Sequence, residues 1–410
     1  LREVADNFNR ELKAGLSPSK KSSLRMLKSY VGLPSGNESG EFIAVDFGGT
    51  NVRVSKIRLN GNGSFEILKR VGRPLIVPGE YDYICRDATA GQMFDFIAEL
   101  IDEAIDGNRE QKFYLGHTFS FPSTQTNLNN ARLIVWTKEF ATQGVEGKIV
   151  NDLLSQALVR RSLKNVEPVA VINDTVAVLL CAAYKNPEIY IGSIYATGHN
   201  TCYLEPSIHD SNCFGAGGMI LNLEAGGFDK LKQNHFDKQL DYMSEKPNTQ
   251  IFEKMVSGRY MGELLDLALS ELLNDNGKKY GLTSVDMSEI ISDTSAALED
   301  ATRILERKVG TKLNLNDVAK VQKLASAIVV RSARLVTAAF IGIVRWRSNQ
   351  IENQCIAVDG SVYEKMPLVQ ENISHAIRDL LGENSKKVDT ILENGGSALG
   401  AAIAAAMTIN

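Results

Sequence analysis

The stretch FIAVDFGGTNVRV, Phe42–Val54, reads as two strands around a glycine turn. Its apolar run, Phe42–Val45, ends at one carboxylate, Asp46, and Gly48 and Gly49 follow at once. Thr50 and Asn51 lead into a returning run with Val52 and Val54 on one face, the period-two pattern of a half-buried strand. Glycines let backbone N–H groups come close to a bulky anion, and Thr and Asn add donors, so a nucleotide phosphate is the expected guest. A plain hairpin, with Asp46 accepting turn N–H groups, is the competing reading. Neither GxxxxGK[ST] nor a GxGxxG opening a helix occurs, so a phosphate here is expected between antiparallel strands.

Upstream, residues 1 to about 30 show Val4, Phe8, Leu12 and Leu16 on one helical face, and Leu33-Pro34-Ser35-Gly36 ends that region. Downstream, Val52–Leu59, the turn Asn60–Gly63 and Ser64–Arg70 continue a meander. Met93, Phe94, Ile97, Ile101 and Ile105 mark an amphipathic helix, followed by a strand Phe113–Phe121, a helix near Lys148–Leu163 and a buried strand Val169–Asn173. The plan then repeats: strand Ile189–Ala196, the turn Thr197-Gly198-His199-Asn200, and strands Thr201–Leu204 and Met219–Glu224. Two glycine turns at matching places in a repeat favour one ligand held between them. The C-terminal half reads as helices Thr249–Asn274, Ser288–Val309 and Leu315–Arg347, then a strand Gln354–Val358 and a glycine turn, Gly395–Ser397, entering an Ala-rich helix.

At 410 residues the chain exceeds a single core, and two domains are expected. A net charge of −4 and a sequence pI near 5.9 give no reason to expect nucleic acid or an anionic membrane as partner. Five scattered cysteines without a CxxC pair argue against a disulfide framework or a cysteine zinc site and fit a reducing, cytoplasmic setting. The N-terminus is charged and lacks an apolar signal core; since it opens on Leu1, a trimmed start is expected. The greasiest stretch, Leu324–Val344, carries Arg331, Arg334 and Thr337 and reads as a buried helix rather than a membrane span.

Eight motifs in order resemble the hexokinase family: FIAVDFGGTNVRV, FSFPSTQT (119–126), WTKEF (136–140), VINDTVA (171–177), ATGHNTCY (196–203), NLEAGGF (222–228), FEKMVSGRYMGEL (252–264) and AVDGSVY (357–363). The resemblance spans essentially the whole chain. It implies the actin-like (ribonuclease H-like) ATPase fold, two α/β domains around a central cleft holding sugar and ATP. The expected division is 41–173 completed by 395–410, and 174–394 joined by the N-terminal helical region 1–40. It implies ATP-dependent phosphorylation of a hexose at the 6-hydroxyl, with Mg2+, as an entry step of glycolysis. Glucose is the first expectation, with mannose or fructose as further substrates. Hexose binding is expected to bring the domains together and exclude water, and the protein is expected to be a monomer or homodimer.

By matched motifs, Asp174 would accept the proton of the attacking hydroxyl. A helix N-cap is its bland alternative. Ser120, Thr137, Lys138, Asn173, Asp174, Asn200, Glu224 and Glu253 would bind the sugar, and Lys138 would add positive charge toward the transferring phosphoryl group. Gly48, Gly49, Thr50, Asn51 and Arg53 would form the first phosphate loop, and Thr197 and Gly198 the second. Asp46 would orient Mg2+ through water. Gly395, Gly396 and Ser397 would border the adenosine, while Asp359 and Gly360 brace the cleft.

The chain departs from the pattern at Ala225, where an aromatic is frequent, at His199, where a smaller residue is usual, and at Asn394 in a tail lengthened by one residue. The segment Glu205–Gly218 is shorter than in animal enzymes. His199 has no partner histidine placed to share a metal. A sugar-binding regulator on the same fold is the alternative, opposed by the intact Asp174. An actin- or chaperone-like ATPase is opposed by the sugar-ligand set, and a repressor-type bacterial sugar kinase by the cysteine spacing.

Overall fold

The computed structural model describes residues 1–137, 139–275, 277–348 and 350–409. The opening helix α1 covers Arg2–Gly15 only, shorter than the 30 residues its periodicity suggested. Pro18 lies just beyond, and the chain before a proline leaves the helical region. Glu11, on the last full turn, accepts the Ser23 backbone N–H at 2.6 Å and the Ser23 hydroxyl at 2.8 Å, folding the following segment back onto the helix.

The decisive stretch forms β1 (Ser39–Phe47) and β2 (Asn51–Gly61), antiparallel with Asp46 opposite Arg53, and β3 (Ser64–Pro74) continues the meander. Strand β4 (Phe113–Phe119) runs parallel beside β1, and β5 (Val166–Ile172) parallel beside β4. The sheet order is β5-β4-β1-β2-β3. One face, with Ile43, Val45, Phe47, Leu115 and Phe119, packs against helix α2 (Ala90–Ala104) through Phe94 and Ile97. That helix begins with a capping box, Thr89 with Gln92, which satisfies two otherwise orphaned N–H groups. Helices α3 (Val150–Arg160) and α4 (Asp174–Lys185) flank β5 in sequence.

The second sheet contains β6 (Ile191–Tyr195), β7 (His199–Glu205), β8 (Met219–Asn222), β9 (Gln354–Asp359) and β10 (Val388–Leu392) in the order β10-β9-β6-β7-β8, with the two-residue strand Leu27–Lys28 beyond β8. In both sheets the order is fifth, fourth, first, second, third. The duplicated plan read from the sequence is thus a duplicated sheet topology.

The chain clusters into two compact units. The first comprises Leu1–Met26, Ser193–Thr201 and Leu223–Leu392; the second comprises Leu27–Gly192, Cys202–Asn222 and Glu393–Asn410, of which the structure describes 393–409. The first unit is largely helical around Leu315–Arg347, a helix of 33 residues that matches its sequence reading and opens on an Asn314 cap. Two other expected helices are each broken. Residues 249–274 form Ile251–Val256 and Gly258–Leu272, because extended Ser257 turns the Gly258 and Arg259 N–H groups to the carbonyls of Ala196 and Thr197 (2.8 and 3.0 Å). Residues 288–309 belong to Ser284–Ser292 and Glu299–Val309, interrupted where Asp293 accepts from the Ser295 and Ala301 N–H groups. Helix Val369–Leu381 and strand β10 were not anticipated.

In the second unit the C-terminal helix Gly396–Ala406 lies across β1, β4, β5 and α4. The approach is backbone to backbone: a side-chain carbon at Gly116 would collide with the Ala401 carbonyl, and one at Gly400 with that of Ala177. Neither obstacle is a flexible side-chain end. Gly116→Ala is therefore expected to cost about 1–3 kcal/mol or more, the range for overpacking a tight core, seen as a lower thermal midpoint. An unchanged midpoint would contradict the close approach.

Candidate active site

In the second unit the glycine turn spans residues 48–50 and its tip is exposed. Neither Gly48 nor Gly49 has a positive φ, so their role is room rather than handedness. A β-carbon on Gly48 would lie 2.8 Å from Ser120 Oγ, while around Gly49 there is nothing within 4 Å. Ser120 follows β4 directly, so the turn and the proposed sugar-binding hydroxyl are neighbours. Thr50 and Asn51 are exposed beside this open space, and the Thr50 carbonyl accepts the Leu75 N–H at 2.7 Å, tying the lip to the end of β3.

Asp46 is half-buried at the end of β1. Its Oδ1 accepts the Thr118 hydroxyl at 3.0 Å, and its Oδ2 lies 3.5 Å from Arg53 Nη1. Burial raises its pKa above the usual carboxylate range, and the negative charge of Asp174 adds to the rise, against Thr118 and Arg53. Thr118 escaped the sequence reading, although its parallel register with Asp46 places both on one sheet face.

The helix α4 starts at Asp174, and its cap is Asn173, not Asp174. Asn173 Oδ1 accepts the Thr175 N–H at 3.0 Å and the Thr175 hydroxyl at 2.6 Å. Asp174 Oδ1 accepts the same N–H at 2.8 Å. The capping role is thus filled by the neighbour, and the Asp174 carboxylate sits in the first turn of the helix. Thr137 is half-buried beside the buried Trp136; Lys138 lies outside the described residues.

Gly395 has φ +73°, the left-handed backbone that glycine tolerates, and it opens the C-terminal helix at Gly396 and Ser397. A β-carbon at Gly396 would meet Val178 Cα at 3.2 Å. Just before it, buried Glu393 pairs with Lys185 Nζ at 2.6 Å and accepts the Cys181 thiol at 3.2 Å, fixing this turn to α4, the helix that carries Asp174.

In the first unit, Asn200, Glu224 and Glu253 come together around the second glycine turn. Glu253 Oε2 accepts the His199 N–H at 3.1 Å and stands 3.0 Å from the position of a β-carbon on Gly198. Asn200 Oδ1 accepts the Ala225 N–H at 3.1 Å, immediately after Glu224. Glu224 has φ 51°, a left-handed conformation that is uncommon for a non-glycine residue and clusters at functional sites. Thr197 is exposed at the turn. Gly360 braces β6: its φ is +131°, and a β-carbon there would be 2.5 Å from the Tyr195 carbonyl.

Two buried histidines flank these turns. His117 on β4 stacks on Phe47, 5.9 Å between ring centroids, and neither ring nitrogen has a partner among the described residues. His199 lies edge-on to Tyr195 and Phe252. Among the described residues no group of three His, Cys, Asp or Glu could hold a metal. Burial lowers the His117 pKa to about 3 and that of His199 to about 4.

A family model described as Hexokinase matches residues 190–407, and a second so described matches 1–184. The chain is 33% identical over 432 residues to Hexokinase-1 of Schizosaccharomyces pombe, covering 99% of this chain and 87% of that protein. It is 35% identical to Hexokinase-2 of Rattus norvegicus over 99% of this chain and 46% of that protein, so it spans about half of the rat protein's length. A solved structure of hexokinase from Schistosoma mansoni complexed with glucose superposes with a TM-score of 0.83 at 32% identity, covering 99% of this chain and 94% of that one.

Because an unfolded histidine titrates near 6.5 and these two titrate lower in the folded protein, the unfolded chain takes up their protons first. Stability is expected to be full above about pH 6.5 and to fall as the pH drops toward 4 and 3. The thermal midpoint measured from pH 7.5 to 4.5 should fall less steeply in His117→Asn than in the parent. Equal slopes would refute the buried neutral imidazole.

Proposed function

This chain belongs to the hexokinase family, and from that premise we propose that it transfers the γ-phosphoryl group of ATP to the 6-hydroxyl of a hexose, glucose first among them. As a hexokinase it is a phosphotransferase acting on a sugar hydroxyl. The observation that carries the finer reading is the pair Asp46 and Asp174: two carboxylates in one unit at the C-terminal ends of β1 and β5, parallel strands of one sheet with only β4 between them. A base beside the sugar and a carboxylate beside the phosphates need just such proximity.

We assign Asp174 as the base that takes the hydroxyl proton as the oxygen attacks phosphorus. We assign hexose binding to Ser120, Thr137, Asn173 and Asp174 in the second unit and to Asn200, Glu224 and Glu253 in the first. Lys138 is proposed to bind sugar and to offset charge on the transferring group. The nucleotide phosphates are assigned to Gly48, Gly49, Thr50, Asn51 and Arg53, and to Thr197 and Gly198. The adenosine is assigned to the turn Gly395, Gly396 and Ser397. The functional division is taken as 41–173 with 395–410 against 174–394 with 1–40.

Asp46, held by Thr118 and pressed by the charge of Asp174, fits a water-held Mg2+, which takes one or two carboxylates plus substrate phosphates rather than a dedicated protein cage. When bound, that ion would offset charge on the phosphoryl oxygens. The glucose named with the Schistosoma mansoni enzyme supports a hexose substrate. A cytoplasmic role in glycolysis is proposed, in keeping with five free cysteines, and the protein is taken as a monomer or homodimer without a nucleic-acid or membrane partner. The helix Leu315–Arg347 is long and apolar enough to cross a membrane, but 67% of its apolar window is buried inside the protein. A catalytically weak sugar-binding regulator is the second reading.

ADP release measured with ATP, Mg2+ and glucose, mannose or fructose should show hexose-dependent turnover. Asp174→Ala should lower kcat by about 100- to 10,000-fold, the usual contribution of a positioned base. Turnover that survives in the variant would remove Asp174 from the mechanism, and none in the parent with any hexose would favour the regulator.

A further inference from the structure

The helix Leu315–Arg347 carries hydroxyls at Ser326, Ser332 and Thr337, and they behave differently. Ser326 donates to the Gln322 carbonyl at 2.9 Å and Thr337 to the Ala333 carbonyl at 2.8 Å, the ordinary back-bond to the preceding turn. Ser332, fully buried, instead donates to the Val256 carbonyl at 2.6 Å, in another element. A hydroxyl has one proton, so the contact between Ser332 Oγ and Tyr195 Oη then has the tyrosine donating to the serine. Tyr195 is also fully buried.

These two partners are not arbitrary places. Val256 is the last residue of the short helix Ile251–Val256, which presents Glu253. Tyr195 ends β6, two residues before Thr197. Around them, the Gly258 and Arg259 N–H groups hold the Ala196 and Thr197 carbonyls, and Glu253 holds the His199 N–H. The glutamate helix and the glycine turn are thus fixed to each other at the backbone, and the serine is where both meet the long helix.

We propose that Ser332 is a positioning residue that, by anchoring both to the long helix, sets the carboxylate of Glu253 and the turn Thr197–Gly198 in one geometry, so that hexose and nucleotide contacts share one buried hydroxyl as support. This rests on the assignment of Glu253 to hexose and of the turn to phosphate. Removal of the hydroxyl orphans the Val256 carbonyl and the Tyr195 O–H at once, and a displacement of about 1 Å at such a remove costs up to about 100-fold in rate. The residue touches neither substrate nor cofactor; it acts through Glu253 and the turn.

The test is steady-state kinetics of the full chain with ATP, Mg2+ and the preferred hexose, comparing Ser332→Ala, Ser332→Thr and Tyr195→Phe. In Ser332→Ala the KM values for hexose and for ATP should both rise, by about tenfold or more. Ser332→Thr, which keeps the hydroxyl, should restore most of the loss, and Tyr195→Phe should shift both constants in the same direction by less. A merely structural hydroxyl would lower the amount of active enzyme, and so kcat, with both KM values unchanged; that result overturns the proposal. If Ser332→Ala does not fold, unchanged KM values in Tyr195→Phe overturn it. A parent without hexose turnover is a failure of the site assignment, and a parent with turnover beside variants with parental KM values is a failure of this inference alone.

Discussion

The second unit depends on contact between bare backbones. Gly116 and Gly400 let the helix Gly396–Ala406 settle on β4 and α4 with no side chain between them. That contact relates three elements of the proposed site: strand β1, which carries Asp46 near its end, the helix that starts at Asp174, and the turn at Gly395–Ser397. The Lys185–Glu393 pair secures the same turn from the other end of α4. The small residues of this Ala-rich tail leave room for the helix backbone to sit close to a neighbour. The packing is observed, and it accounts for the alanine-rich face without any ligand.

The two glycine turns share a device beyond their topology. Each follows the first strand of its sheet, and each has a glycine pressed by a side-chain oxygen: Gly48 by Ser120 Oγ and Gly198 by Glu253 Oε2. Neither glycine is needed for an unusual φ. Both are needed because the oxygen occupies the space a β-carbon would take. In each unit, then, a residue assigned to sugar sits directly against a turn assigned to phosphate, and the selectivity of each turn for glycine comes from the sugar side.

The strands were legible because period-two alternation and an end-of-strand turn are local signals: β1 and β2 follow Val45, Val52 and Val54 closely. Helix Leu315–Arg347 was legible for the same reason. Breaks were not. Ser257 interrupts a helical pattern because the Ala196 and Thr197 carbonyls compete for the N–H groups that follow, and the Ser257-Gly258 dipeptide is the one local hint of it. The cap on α4 was assigned one residue too late as an alternative, since Asn173 and Asp174 are equally good caps by type and only geometry separates them. Thr118 and Ser332 were invisible for a further reason: a hydroxyl in an apolar strand or helix looks the same whether it back-bonds or reaches another element.

The place of Gly396–Ala406 also bears on the order in which the polypeptide is made. The sheet face it covers is built from β1, β4 and β5, whereas the helix is synthesised long after all three. Until that helix is made, the groove at Ala44 and Gly116 stands open to water and the second unit lacks part of its core. A nascent chain stalled or cleaved before that helix would carry both carboxylates, Asp46 and Asp174, on elements not yet locked together, leaving an exposed apolar surface for chaperones and proteases to recognise.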